Sequence, residues 1–143
     1  MGIDKFTDIS QTFIQKAQNL AVREGNPYVT TSHLLKVMLE DKDSMPFSLL
    51  MQAGADLFSI RNQIDDVLSK MPKASGMSVQ VTASQDFLKT LSNAEQLAQK
   101  AKDTYITVER LLQAALMENN YGVDLKRLEE VINQIRQGRT AET

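Results

Sequence analysis

The side chains that could do chemistry in this sequence are few. His33 is the single histidine and there is no cysteine, so a metal site has no second nitrogen or sulfur ligand, and no serine or cysteine nucleophile has a histidine arranged for it. A structural or surface role is the expectation for His33. The adjacent acidic pairs Asp65–Asp66 and Glu129–Glu130 fall in helix-forming stretches. Neighbours on a helix project about 100° apart and do not converge as an acid and a base must. No Gly-x-x-x-x-Gly-Lys-Ser/Thr run occurs, so no phosphate-cradling loop is available. What remains are isolated groups such as Thr7, Asp103 and Glu109, whose chemistry is hydrogen bonding and charge. The chain therefore reads as a non-enzymatic binding domain, without a metal or a cofactor of its own.

Charge narrows the partner. A net charge of −2 argues against nucleic acid, which calls for a basic face. The absence of tryptophan removes the best stacking platform for single strands. No apolar run reaches the length of a membrane span, and Met1 to Lys5 lack the apolar core of a signal peptide. Gly2 is not a myristoylation signal, because Phe6 stands where that motif takes serine or threonine. Cysteine-free usage is compatible with a reducing cytoplasm, the expected location. With 42% apolar and 24% charged residues, the chain has enough apolar surface to order itself as one globular domain, expected to be a monomer in isolation.

Helices must position these groups. Ile9, Phe13, Ile14, Ala17, Leu20 and Ala21 recur at three- and four-residue spacing, one stripe of an amphipathic helix. Thr7 can cap it, and Gly25 with Asn26–Pro27 ends it. Thr30 or Thr31 caps a second helix carrying Leu34, Leu35, Met38 and Leu39, with a polar exit as far as Pro46. A short helix from Phe47 to Met51 closes at Ala53–Gly54. Asp56 caps a fourth, with Leu57, Ile60, Ile64, Val67 and Leu68 inward, ending before Pro72. Residues 71–82 have no helical period; Pro72, Ser75 and Gly76 mark a linker, in which Val79 and Val81 alternate over too short a stretch to define a strand. Ser84 caps the next stripe, Phe87, Leu88, Leu91, Ala94, Leu97 and Ala98. A further helix opens at Ile106–Thr107 with Leu111, Leu112, Ala115 and Leu116. The last runs from Asp124 with Leu125, Leu128, Val131, Ile132 and Ile135, and stops at Gly138 before a tail at 139–143. Met38 and Met117 fall at core spacing. Met45, Met71 and Met77 border loops and are the better candidates for exposed apolar surface.

The two halves repeat one another. An offset of 77 takes Ala17, Leu20 and Ala21 to Ala94, Leu97 and Ala98, Tyr28-Val29-Thr30 to Tyr105-Ile106-Thr107, and Leu34-Leu35 to Leu111-Leu112. Further on, an offset of 68 takes Leu57, Ile60, Ile64 and Val67 to Leu125, Leu128, Ile132 and Ile135. The second half is shorter by the stretch around Phe47 to Met51. The expected fold is all-α, two pseudo-twofold related helical repeats packed as one domain of about seven to eight helices. Repeat one spans about 3–70, the linker 71–82 and repeat two about 83–138. Each half alone is about 65–70 residues and marginal, so the halves must pack together. Their junction is the natural place for a groove.

This duplicated pattern resembles the Clp amino-terminal domain. The resemblance is carried by Phe6–Thr7, the spaced alanines of each first helix, and the segments Thr30 to Leu35 and Thr107 to Leu112. Met71–Pro72, Ser84-Gln85-Asp86 and Leu97-Ala98-Gln99-Lys100 look like the ClpB branch rather than ClpA or ClpC. The resemblance implies a domain that recognises exposed apolar segments of unfolded or aggregated polypeptide for a stress-response chaperone, an ATP-dependent disaggregase. In such a protein, ATP and magnesium belong to separate hexamer-forming ATPase domains. It implies that Thr7, Asp103 and Glu109 handle substrate and that Leu91 lies in an apolar groove. Two features depart from the family pattern: Arg110 stands where an apolar groove residue is common, and the segment after Leu116 is shortened by about one helix.

The same residues have plainer readings. Thr7 is explained as a helix cap, Asp103 as a loop residue, Glu109 as a first-turn acid and Leu91 as a core residue on its stripe. Beside an apolar groove, the two carboxylates would favour substrates with lysine or arginine flanking an apolar stretch. Two other functions fit the same fold: adaptor docking, as in the ClpA and ClpC branches, and a structural or regulatory cap on the ATPase.

Overall fold

A computed structural model describes residues 2–74 and 80–137. Ser75, Gly76, Met77, Val79, Gly138 and the tail at 139–143, on which sequence expectations were placed, lie outside the described residues. Seven α-helices are present among the described residues: α1 Asp8–Arg23, α2 Thr31–Glu40, α3 Met45–Gln52, α4 Leu57–Ser69, α5 Gln85–Lys100, α6 Val108–Glu118 and α7 Leu125–Arg136. A 3-10 turn at Ile3–Lys5 precedes them. Thr7, Thr30, Ser44, Asp56, Ser84, Thr107 and Asp124 each sit one residue before a helix, and each side chain accepts a backbone N–H three residues on. Such a cap stabilises a helix by about 1 kcal/mol, and the caps fix where each helix begins.

The repeat is visible in the backbone. α5 has the bounds of α1 displaced by 77. Gly25 (φ 72°) and Lys102 (φ 61°) take the same left-handed position after these two helices. On α4 and α7, Ile60 and Ile64 match Leu128 and Ile132 at an offset of 68, all four buried.

Two short backbone pairings join the halves. Tyr28–Val29 (β1) runs parallel to Thr82–Ala83 (β2), and Phe6 bridges Ile106 in the same sense. Under the offset of 77, Phe6 maps to Ala83 and Val29 to Ile106, so one pairing is the image of the other. Their hydrogen bonds correspond: Thr7 N–H donates to the Ile106 carbonyl at 3.0 Å, and Ser84 N–H donates to the Val29 carbonyl at 2.9 Å. Strands this short carry no period-2 pattern, so sequence inspection passes over them.

α3 breaks the symmetry. It packs against α6 and α7 of the second repeat as well as against α2. The second repeat has no counterpart to α3; a turn at Asn119–Gly122 replaces it. Asn119 and Asn120 side-chain oxygens accept the Tyr121 and Gly122 N–H groups at 3.1 and 2.8 Å. Tyr121, in the left-handed region at φ 49°, is buried with its hydroxyl 3.2 Å from Ser32 Oγ. The shortening is thus filled by a tyrosine rather than left as a widened cleft.

Some inward expectations fail at helix ends. Ile9 and Leu88 are 59% and 55% exposed, because the first turns of α1 and α5 project past the core edge and Phe13 and Phe87 take the inward positions. Met117 is 50% exposed, since Leu116 fills the core position beside it. Met38 is buried as its spacing implies. Pro46 lies inside the first turn of α3, where its missing N–H costs nothing, so that helix starts before Phe47.

His33 is fully buried. Its Nδ1 accepts the Thr30 N–H at 2.9 Å, which requires the neutral ring to carry its proton on Nε2. That nitrogen donates to Asn26 Oδ1 at 2.9 Å, and Asn26 Nδ2 donates to the Pro72 carbonyl at 3.1 Å. The network ties the loop after α1, the start of α2 and the start of the linker together. Burial lowers the His33 pKa below 6.5, against weaker opposing pulls from Asp86 and Glu24. A lowered folded pKa means that this contribution is fully present above about pH 6.5 and is lost as pH falls through the window below it. Urea denaturation across that window should show stability falling with pH, with a flatter slope for His33→Gln; equal slopes would contradict this.

Candidate binding groove

The seam between the repeats opens on one side as a groove of about 700 Å³. Its base is Phe6 and Val108, 3% and 4% exposed. Ile9 from α1, Met45 from α3 and Tyr105 from the segment before α6 supply accessible apolar surface around that base. Asp4, Asp8 and Glu109 are the charged residues among its described lining, which includes no lysine or arginine. The groove is therefore an apolar slot with an anionic rim.

Caps create this geometry. Thr7 and Thr107 both hold extended backbone (φ −61° and −81°) immediately before their helices, which brings the residue preceding each alongside the other chain segment. The Thr7 hydroxyl donates to Ser10 Oγ at 2.9 Å and accepts the Ser10 N–H at 3.3 Å, while Ser10 Oγ donates to the Ile106 carbonyl at 3.1 Å. Gln11 Nε2 donates to the Phe6 carbonyl at 2.9 Å. Thr7 thus lines the groove and caps α1, and its hydroxyl belongs to the network that closes the seam.

The residues singled out by resemblance divide. Thr7 and Glu109 meet at the groove. Asp103 does not line it: its side chain is fully enclosed, and its oxygens accept Arg136 Nη1 and Nη2 at 2.7 and 2.5 Å. Two parallel bonds of this kind are the strong form of a carboxylate–guanidinium contact. They raise the Arg136 pKa above its ordinary value, the hydrogen bond to Asp103 being the largest cause. Arg136 Nε also lies 4.0 Å from Glu109 Oε2, so one guanidinium at the end of α7 links both carboxylates. Asp103 is accordingly not a solvated loop carboxylate. Leu91 is half-buried against the core on α5 and does not line this groove. It lies one turn before Glu95, which pairs with Lys5 of the 3-10 turn at 3.9 Å.

Arg110 is 5% exposed on α6. Its Nη1 donates to Gln113 Oε1 at 2.7 Å and to Glu129 Oε2 at 3.0 Å, and Gln113 Nε2 donates to the same Glu129 carboxylate. Its charge is neutralised between α6 and α7 and is not among the groove lining. Sequence inspection missed Asp4, Asp8, Ile9, Tyr105 and Arg136 as site residues. Tyr105 had a signal, since it repeats Tyr28 ahead of a cap. Arg136 had none, because its link to Asp103 joins two elements far apart in the chain.

The family described as the Clp repeat (R) N-terminal domain matches residues 5–128. Chaperone protein ClpB of Brucella suis biovar 1 (strain 1330) is 40% identical over 152 aligned positions, covering 100% of this chain and 17% of that protein. The chain thus spans about a sixth of the length of the curated relatives it matches. Among solved structures, the Hsp104 N-terminal domain from Candida albicans superposes with a TM-score of 0.82 at 19% identity, over 96% of this chain and 95% of that one. A complex of the ClpV N-domain with VipB peptide gives 0.75 at 21% identity, over 99% and 92%.

Because Asp103 is enclosed and Arg136 nearly so, removing the acid's charge strips a poorly solvated guanidinium of its two strongest bonds. Asp103→Asn should cost about 3 kcal/mol of unfolding free energy, read by urea denaturation; a loss under about 1 kcal/mol would show the pair to be solvated instead.

Proposed function

Since the chain belongs to the Clp repeat N-terminal domain family, we propose that it is the polypeptide-binding amino-terminal domain of a ClpB-type disaggregase, and that the seam groove receives exposed apolar segments of unfolded or aggregated polypeptide. The observation that supports this most is the pairing of accessible apolar walls, Ile9, Met45 and Tyr105, with an anionic rim at the repeat junction. In the similar ClpV N-domain, a peptide is the ligand of a solved complex. The reading assigns binding to this chain and no chemistry. ATP and magnesium would serve other domains of the parent chain, working in the cytoplasm.

The groove's size suits weak, tolerant binding. Inserting two or three apolar side chains contributes about 1.5–3 kcal/mol each. After the cost of association, dissociation constants in the micromolar to sub-millimolar range follow. Rim carboxylates add about 0–1 kcal/mol for a lysine or arginine beside the apolar stretch, enough to bias ligand choice without slowing release. In this reading Thr7 and Glu109 act at the groove, Asp103 acts through Arg136, and Leu91, half-buried on α5 outside the groove lining, packs against the core.

The test is an NMR titration of the isotope-labelled chain with a permanently unfolded, apolar-rich protein. Shifts should cluster at Phe6, Ile9, Tyr105 and Glu109. Ile9→Ser, at a position already exposed, should leave the fold intact and weaken binding about tenfold. Absence of shifts at millimolar ligand, or an Ile9→Ser affinity equal to that of the unsubstituted chain, would sink the reading.

A further inference from the structure

Glu109 faces two ways. It lines the groove, and its Oε2 lies 4.0 Å from the Nε of Arg136, the last residue of α7. Arg136 is pinned from beneath by its two bonds to the enclosed Asp103 carboxylate. The Arg136 and Glu109 side chains are only 11% and 13% exposed, so water and salt screen the contact poorly. The charge of Arg136 therefore offsets the very carboxylate that a cation in the groove would meet.

We infer that Arg136 is a built-in competitor for the anionic rim: a lysine or arginine carried in by an apolar segment pairs with Glu109 at the expense of the Glu109–Arg136 contact, coupling groove occupancy to the seating of the end of α7. This rests on the groove being the polypeptide site proposed above. Asp103 holds Arg136 through two parallel bonds, much the stronger contact. An incoming cation thus frees Glu109 and leaves the guanidinium on Asp103, so the last turn of α7 loosens rather than unfolds. The coupling is reciprocal: anything that seats the α7 end more firmly lowers affinity for cationic segments. Apolar segments without a cation leave the contact alone, so the device sorts ligands by charge. Its position is legible in the backbone, because Gln137 caps α7 in the left-handed region (φ 50°, ψ 43°) with its N–H on the Asn133 carbonyl at 2.8 Å.

Two peptides with one apolar core, flanked by lysines in one and serines in the other, separate the possibilities. Each is titrated into the labelled 143-residue chain and into Asp103→Asn/Arg136→Gln, which removes both charges of the ion pair together. The lysine peptide alone should move the Arg136 Nε–H resonance and speed hydrogen exchange at Gln137. The double variant should bind the lysine peptide at least about threefold tighter and the serine peptide unchanged. If the double variant does not fold, the Nε–H resonance of the unsubstituted chain decides on its own. A lysine peptide that binds without moving it, or a double variant that gains equally for both peptides, overturns the inference while leaving the groove reading intact. A serine peptide that fails to bind at all removes the groove reading and this inference with it.

Discussion

The structure depends on a pair of backbone contacts made across the repeat junction. Each half offers a short extended segment before its first helix and another before its second, and each segment finds its partner only in the other half. Phe6 meets Ile106 and Ala83 meets Val29, so the interface is self-complementary in the way of a twofold dimer, but within one chain. Each half alone is of a length at which a core is marginal. The pairing sets the distance between the start of α1 and the start of α6, and the groove is the space that this distance leaves.

The two halves have since solved the same problem with different chemistry. At one pair of equivalent positions the first repeat buries His33 and the second Arg110; at another the first has Asn26 and the second Asp103. In repeat one the two polar groups satisfy one another, neutral donor to neutral acceptor. In repeat two they are both charged and each turns to α7, Arg110 to Glu129 and Asp103 to Arg136. A buried charge is tolerable only when paired, so in the second repeat both charges are met by side chains of α7. This pairing also places a guanidinium beside the groove.

Much of this was legible in the sequence, for identifiable reasons. Most helix starts were plain because a serine, threonine or aspartate oxygen accepts a backbone N–H there; α3 was the exception, because its cap Ser44 sits in a polar stretch ahead of Pro46. The duplication was plain because apolar periodicity and a helix-capping threonine recur at an offset of 77, and apolar periodicity recurs again at 68. The misses have physical causes too. Ile9 and Leu88 share a stripe with core residues but sit in first turns that overhang the core, which periodicity cannot register. Two-residue strands have no pattern to detect. Arg110 looked like an intrusion into an apolar surface because its neutralising partner lies nineteen residues on. Asp103 looked solvated because its partner lies at the far end of α7.

The central claim is that polypeptide seats at the seam rather than on another apolar face. The molecule has other candidates, with Met51 and Phe58 60% and 77% exposed and Tyr28 and Leu88 54% and 55% exposed. The most direct measurement is a set of intermolecular NOEs between an unlabelled apolar peptide and the labelled chain, with the peptide in excess at millimolar concentration. Contacts from the peptide to the Ile9 and Met45 methyl groups and the Phe6 and Tyr105 rings are the expected result. Contacts confined to Met51 and Phe58, or to Tyr28 and Leu88, would contradict it.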